Sequence, residues 1–159
     1  SSVPAAYDRI SENFGVSRRF PWPFVVEWLE EGEEGDRLLV AGCGDGRHVA
    51  AALESGRFRK IWALDLSRGM LEAARRRLGE DVFEGNQEAP AVELLQASVC
   101  DVPLPDACCD AVLTAAVLHH LPGPSSRAAL LELARVLRPG GRLLASCWDP
   151  QAKAACWPR

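Results

Sequence analysis

The chain reads as an α/β domain built on a mostly parallel sheet. Three observations predict this. Short apolar runs alternate with segments of helical spacing, as βαβ units require. One of those runs, Leu38-Leu39-Val40-Ala41, leads directly into a glycine turn, Gly42-Cys43-Gly44-Asp45-Gly46, and then into helical spacing at Val49, Ala52 and Leu53. The next run, Lys60-Ile61-Trp62-Ala63-Leu64-Asp65, ends in a carboxylate. An apolar run of this length suits a central strand covered on both faces, and crossovers between such strands are right-handed.

At 159 residues the chain is long enough for a sizeable core and is expected to be a single domain, 1–159. A net charge of −4 excludes a global basic footprint for nucleic acid, so any such contact must come from a local patch. Six cysteines are present without a C-x-x-C pair, which points to reduced, mostly buried thiols rather than a zinc knuckle, and no metal site is expected. That cysteine usage predicts a cytoplasmic or nuclear protein. No apolar run approaches a membrane span, and Ser1-Ser2-Val3-Pro4 has no signal-peptide character.

The elements follow in order. Tyr7, Ile10 and Phe14 share a helical face. Two prolines bracket Trp22 in Arg18-Arg19-Phe20-Pro21-Trp22-Pro23, so that stretch is extended and stiff. Val25, Trp28 and Leu29 restart a helix that ends in the acidic, Gly-rich stretch 30–36. After the Asp65 strand, Ser67 is a candidate N-cap for a helix lined by Leu71, Ala74 and Leu78 that exposes Arg75, Arg76 and Arg77. Residues 79–93 read as a loop. Strands are expected at 92–97, 110–116 and 142–148. Between the last two, Ser125 or Ser126 is expected to cap a helix lined by Leu130, Leu133, Ala134 and Leu137, ended by Arg138-Pro139-Gly140-Gly141. Residues 1–36 thus form an N-terminal helical segment, 37–148 the core and 149–159 a tail.

A strand, glycine turn and helix is where open α/β sheets bind nucleotides, and the helix N-terminus suits an anion. The spacing G-x-G-x-G matches neither the dinucleotide fingerprint nor a P-loop. A turn without a ligand is therefore the competing reading. Asp65, about 20 residues beyond the glycines, shifts the balance, because such folds use an acid there to hold ribose hydroxyls.

Gly42 to Gly46, Asp65, Asp101 before Pro103-Leu104-Pro105, and Leu137-Arg138-Pro139-Gly140-Gly141 together resemble the Rossmann-like methyltransferases that use S-adenosylmethionine. Tyr7-Asp8-Arg9-Ile10, Phe14, Arg18, Pro21-Trp22-Pro23 and Ala116-Val117-Leu118-His119-His120 narrow the resemblance to the tRNA wobble-uridine carboxymethyl methyltransferases. The resemblance implies a sheet of at least five strands in the order 3-2-1-4-5, helices on both faces, and methylation of the carboxylate of 5-carboxymethyluridine. It also implies a tRNA substrate and a partner, either a small zinc-binding activator subunit or a fused dioxygenase domain. Three departures stand out. Val40 replaces an acid two residues before the first glycine, the basic residue near Phe20 is Arg19, and the fold's two final strands have no counterpart runs here.

By that resemblance, Gly42 and Gly44 let the methionine part of S-adenosylmethionine or its product S-adenosylhomocysteine lie against the main chain, and Cys43 and Gly46 belong to the same cofactor set. Asp65 takes the ribose hydroxyls, Asp101 the adenine amino group with the Val102 backbone nearby, and Leu66 and Ala115 complete the cofactor set. Arg18 orients the substrate carboxylate through a bidentate fork, and His119 assists it as the second catalytic residue. Arg19, Trp22 and His120 complete the substrate contacts. A carboxylate is already ionised at neutral pH, so no strong general base is needed. Structural readings compete at each position: Asp65 and Asp101 as loop carboxylates, Arg18 as solvated, His119 at the core edge, Trp22 as packing. Two other functions compete: a small-molecule methyltransferase on the same fold, and a degenerate module that binds RNA or a partner.

Overall fold

The computed structural model describes residues 20–84 and 91–147. Five strands, β1 (Asp36–Ala41), β2 (Phe58–Asp65), β3 (Ala91–Gln96), β4 (Cys109–Ala115) and β5 (Leu137–Ser146), form one sheet in the order β3-β2-β1-β4-β5. Every pairing is parallel. The helices are α1 (Pro23–Glu30), α2 (Arg47–Ser55), α3 (Arg68–Leu78), the single turn α4 (Asp81–Glu84) and α5 (Gly123–Val136). None is long and apolar enough to cross a membrane.

Alternation along the central strands makes two apolar layers. Leu38 and Val40 of β1 face α1, α2 and α3 together with Ile61, Ala63 and Leu113. Leu39 and Ala41 face the other way, onto Ala129, Leu133 and Val136 of α5 and onto Val99 and Val102 of the loop after β3. A period of two within each strand therefore supplies helices on both faces. Sheet order reverses between β1 and β4, and there the chain leaves the strand ends toward opposite sides, opening a crevice at the carboxyl edge.

Several elements differ from the sequence expectation. β5 begins at Leu137, so Arg138–Gly141 is a bulge inside the strand rather than a link between helix and strand. Leu137 pairs with Cys109 and Arg142 with Ala111, and the surplus residues loop out where Gly140 takes a φ of 76°. α5 starts at Gly123 with Pro122 as its N-cap, not at a serine. Pro124 has a preset φ and needs no donor in that first turn, which makes the early start favourable. The Ser126 hydroxyl instead donates backward to the carbonyls of Leu118 and Leu121, at 3.1 and 3.3 Å. The buried positions of α5 are Ala129, Leu133 and Val136, while Leu130 and Ala134 are exposed. The stretch 79–93 contains α4 and the start of β3. The helix expected at Tyr7–Phe14, together with Arg18, Arg19, Trp148 and the tail 149–159, lies outside the described residues.

Candidate functional site

At the carboxyl edge β1 passes into α2 through Gly42–Gly46. The backbone N–H groups of Gly42 and Cys43 both donate to the Leu64 carbonyl, at 2.7 and 2.8 Å. The turn is thereby fixed to the end of β2. Gly42 has a φ of 78°, and a Cβ there would run into Cγ2 of Val117. Its glycine is demanded by both backbone and packing. Gly44 has a φ of 54°, but a Cβ there would meet nothing within 4 Å. The turn therefore has a packed side, at Gly42, and an open side, at Gly44. Gly46 caps α2 in the left-handed conformation against Ala74.

Asp65 closes β2 beside this open side. One carboxylate oxygen accepts the Gly44 N–H at 2.9 Å, and the other accepts the Ser67 N–H at 2.9 Å. Each oxygen retains a second lone pair. Among the described residues Asp65 makes no salt bridge, so its charge is steered by backbone dipoles alone. Ser67 caps α3 as expected, its hydroxyl accepting from Met70 N–H at 3.2 Å. Leu66, 70% exposed, and the exposed Met70 add apolar surface beside the carboxylate.

Cys43 contributes backbone rather than reactivity. Burial, and then the charge of Asp65, push its thiol up to about 12, so it stays protonated at neutral pH. Asp45 is tied to Arg77 of α3 at 2.9 Å.

The loop after β3 carries Asp101 and Val102. Asp101 is exposed, and its N–H donates to the Ser98 carbonyl at 3.1 Å. Val102 is buried, and its backbone is already engaged: its N–H donates to Glu132 Oε2 at 2.8 Å, and its carbonyl accepts from Arg135 Nη2 at 2.8 Å. Arg135 also donates to the Leu104 carbonyl and to Asp106, each at 2.8 Å. Hydrogen bonds from Arg135 and from Val102 N–H hold the Glu132 carboxyl below its ordinary range. Glu132 and Arg135 thus staple the Asp101 loop to α5. The sequence reading missed this pair. Its only local signal was the three-residue spacing of opposite charges on one helix.

β4 ends at Ala115. Ala116 follows with a φ of 57°, a conformation uncommon for a residue with a side chain. Its N–H is held by the carbonyl and hydroxyl of Ser146, at 3.0 and 3.2 Å, which anchors the kink to β5. Val117 then turns over Gly42, and Leu118–His120 form a single 3-10 turn. Both histidines therefore stand just past the end of β4, with His120 exposed.

Trp22 is packed rather than presented. Its ring stacks on Phe24 with centroids 5.7 Å apart, meets His48 edge-on at 5.3 Å, and lies 4.8 Å below the Arg47 guanidinium. The Trp22 backbone N–H donates to His48 Nε2 at 3.4 Å. His48 is only 6% exposed, and burial, helped by neighbouring Arg47, lowers it to about 4. The imidazole is neutral at pH 7, as accepting that bond requires.

Two of the three arginines of α3 are engaged with neighbouring groups. Arg75 binds Glu80 at 2.9 Å and covers the Phe83 ring at 4.4 Å, and Arg77 holds Asp45. The amino edge of the sheet has a cleft between Glu31, Asp36, Asp110, Arg138 and Arg142. There Asp110 is bound by Arg37 and Arg138, and Arg142 by the Trp28 carbonyl, so the cleft's main charges are already paired.

A family model described as a methyltransferase domain matches residues 39–145. The chain is 32% identical over 150 residues to the tRNA (carboxymethyluridine(34)-5-O)-methyltransferase ALKBH8 of Macaca fascicularis, which covers 92% of this chain and 20% of that protein. It is 35% identical over 142 residues to the demethylmenaquinone methyltransferase of Clavibacter sepedonicus, covering 89% of this chain and 53% of that one. The chain thus spans about a fifth to a half of these relatives' lengths. Among solved structures, one described as an S-adenosyl-L-methionine-dependent methyltransferase from Methanococcus maripaludis superposes with a TM-score of 0.63 at 21% identity, over 76% of this chain and 52% of that one. A chain from a complex of the Haloferax volcanii Trm112 methyltransferase activator with a methyltransferase gives a TM-score of 0.62 at 22% identity, over 86% of this chain and 56% of its own.

Proposed function

Because this chain belongs to the methyltransferase-domain family and has the fold of the S-adenosylmethionine-dependent enzymes, we propose that it methylates the carboxylate of 5-carboxymethyluridine at the tRNA wobble position. The observation that carries the cofactor half of this reading is the open side of the glycine turn beside Asp65. Gly44 leaves space where a side chain would stand, and each Asp65 oxygen, bonded once to backbone, can accept a second hydrogen bond. These residues fit S-adenosylmethionine. Asp65 accepts hydrogen bonds from ribose hydroxyls, Leu66 and Met70 give the base an apolar wall, and Asp101 accepts from the adenine amino group. Val102 supports by packing, since its N–H belongs to Glu132. Val40, where the resembled family usually has an acid, is buried between Ala63 and Leu113, so the carboxyl end of β1 would offer the cofactor no carboxylate.

When bound, the sulfonium supplies an electrophilic methyl group. The chain's own task is then to hold an ionised acceptor in line and keep water away. Orientation of this kind can supply roughly 7–11 kcal/mol. The turn at Leu118–His120 carries His119 and His120 at the strand edge where an acceptor would approach, and Arg18 is assigned to the carboxylate by resemblance. Two features support tRNA as the substrate: identity to the wobble-uridine enzymes along nearly the whole chain, and the two histidines after β4. Similarity to a demethylmenaquinone enzyme favours the second reading, a small-molecule acceptor. The outer edge of β5 is unpaired among the described residues and is the proposed seat of an activator subunit; that such a subunit exists is suggested by the shared fold with a methyltransferase solved in complex with a Trm112 activator.

The test is methyl transfer from labelled S-adenosylmethionine, with and without an archaeal Trm112-type subunit, to tRNA bearing 5-carboxymethyluridine and to quinone and small-acid acceptors. Ester formation on the tRNA alone is expected. Transfer only to a small acceptor favours the second reading. Cofactor binding without transfer to any acceptor removes the enzymatic proposal.

A further inference from the structure

At the amino edge of the sheet two adjacent free thiols stand where the chain enters β4: Cys108, the last residue before the strand, and Cys109, its first. Neighbouring side chains of a strand point to opposite faces, which ordinarily holds adjacent thiols apart. Here the two Sγ atoms lie 3.6 Å from each other. The cause is the turn that precedes the strand. Ala107 takes a φ of 53°, and its N–H is held by the Arg135 carbonyl at 2.9 Å. That bend brings Cys108 back onto the side of Cys109. Cys109 is fully buried, while Cys108 is half-buried and reachable.

A disulfide suits this pair poorly. Adjacent Cα atoms stand about 3.8 Å apart across a trans peptide, and disulfides usually span about 4.4–6.8 Å between Cα atoms. One atom bridging two thiolates suits it better. A centre with bonds of about 2.3 Å to each sulfur, at an angle between a pyramidal ~90° and the tetrahedral value, separates the two sulfurs by about 3.3–3.8 Å, a range that includes the spacing found. Zinc itself would want further protein ligands, and no group of three or more His, Cys, Asp or Glu side chains is placed for that among the described residues.

We propose that Cys108 and Cys109 form a vicinal dithiol site for a soft, thiophilic centre that needs only two protein ligands, the class of the monosubstituted trivalent arsenicals. Cys108 attacks first, being the reachable thiol, since burial holds Cys109 in its protonated form. Cys109 then closes the chelate within the same molecule, at high effective concentration. Two As–S bonds replace the two bonds from arsenic to oxygen. The two thiol protons leave with that oxygen as water, and arsenic remains trivalent. Asp110, the next residue, is the carboxylate that joins β1 to β5 through Arg37 and Arg138. Capture therefore acts on the base of β4, away from the cofactor edge, and alters thermal stability without changing cofactor affinity.

The experiment treats the full chain with phenylarsine oxide and reads intact mass, melting temperature and S-adenosylhomocysteine affinity. One arsenical per chain is expected, removed by 2,3-dimercaptopropanol but not by an equal concentration of a monothiol. Cys108→Ser should label at least tenfold less, and Cys100→Ser and Cys147→Ser should label like wild type. Peptide mapping of the wild-type adduct gives a readout that needs no variant, and the arsenical must fall on the peptide holding Cys108 and Cys109. Mapping elsewhere, full labelling of Cys108→Ser, or release by a monothiol would overturn the assignment.

Discussion

Two aspartates at opposite edges of one sheet differ in what holds them, and so in what each can still offer a ligand. Asp65, at the carboxyl edge, is held by the N–H groups of Gly44 and Ser67. Asp110, at the amino edge, is held by the Arg37 backbone and guanidinium and by Arg138, at 2.8, 3.1 and 2.7 Å. Burial alone would raise the Asp110 carboxyl, but those hydrogen bonds outweigh it and hold the group below the usual carboxylate range. Backbone dipoles fix Asp65 without neutralising it, so its charge stays available to hydroxyls in the crevice. Two guanidiniums neutralise Asp110, so it ties strands together and has little left to offer a ligand.

The largest expected effect tests the packed side of the glycine turn. Gly42→Ala should lose about 2–5 kcal/mol of stability, from the left-handed backbone and the crowding of Val117 together. Urea unfolding measures it. A loss below 1 kcal/mol would mean that Val117 moves aside freely.

Acid titration should resolve two separate losses of stability. His48 is neutral in both states above pH 6.5. As pH falls from about 6.5 toward about 4, the unfolded chain takes a proton that the folded chain excludes, at a cost of about 3 kcal/mol at most. The Asp110 contribution is present above the unfolded carboxylate pKa and disappears only as pH falls through its depressed folded value. His48→Gln keeps an acceptor for Trp22 and should flatten the upper step alone, whereas Asp110→Asn should flatten the lower. Melting temperature between pH 8 and pH 3 is the readout, and a single unresolved step in both variants would contradict the separation.

Cofactor affinity separates the two aspartates directly. Asp65→Ala should weaken S-adenosylhomocysteine binding about 10- to 100-fold in calorimetry, the loss of one to two charge-assisted hydrogen bonds. Asp110→Asn should leave that affinity unchanged. Its stability loss is the smallest effect, about 1–2 kcal/mol, because solvent screens the partly exposed guanidiniums. Weaker cofactor binding in Asp110→Asn would break the comparison.

Much of the carboxyl edge was legible from the sequence. The apolar run 38–41, the alternate glycines and the acid closing the next strand are local patterns, and local patterns survive folding. The same logic found the Ser67 cap and the buried stripe of α3. It failed at α5, where Ala129, Leu133 and Val136 are the buried positions rather than Leu130 and Ala134. Apolar residues occur around more than one side of that helix, and only the sheet chooses among them. It also misplaced the start of β5: the helix ends before Arg138 as expected, but Arg138–Gly141 is absorbed as a bulge because Leu137 already pairs with β4.

By itself the sequence determined the alternation of strands and helices, the position of the glycine turn and the identity of the acid beside it, since period and spacing are written along the chain. The tertiary structure decided which charges meet. Arg77 finds Asp45 from 32 residues away, and Arg37 finds Asp110 from 73. It also brought Cys108, in the bend before β4, onto Cys109, and committed Val102 N–H to Glu132. Such pairings depend on sheet order and on bends between elements, and neither leaves a period in the sequence.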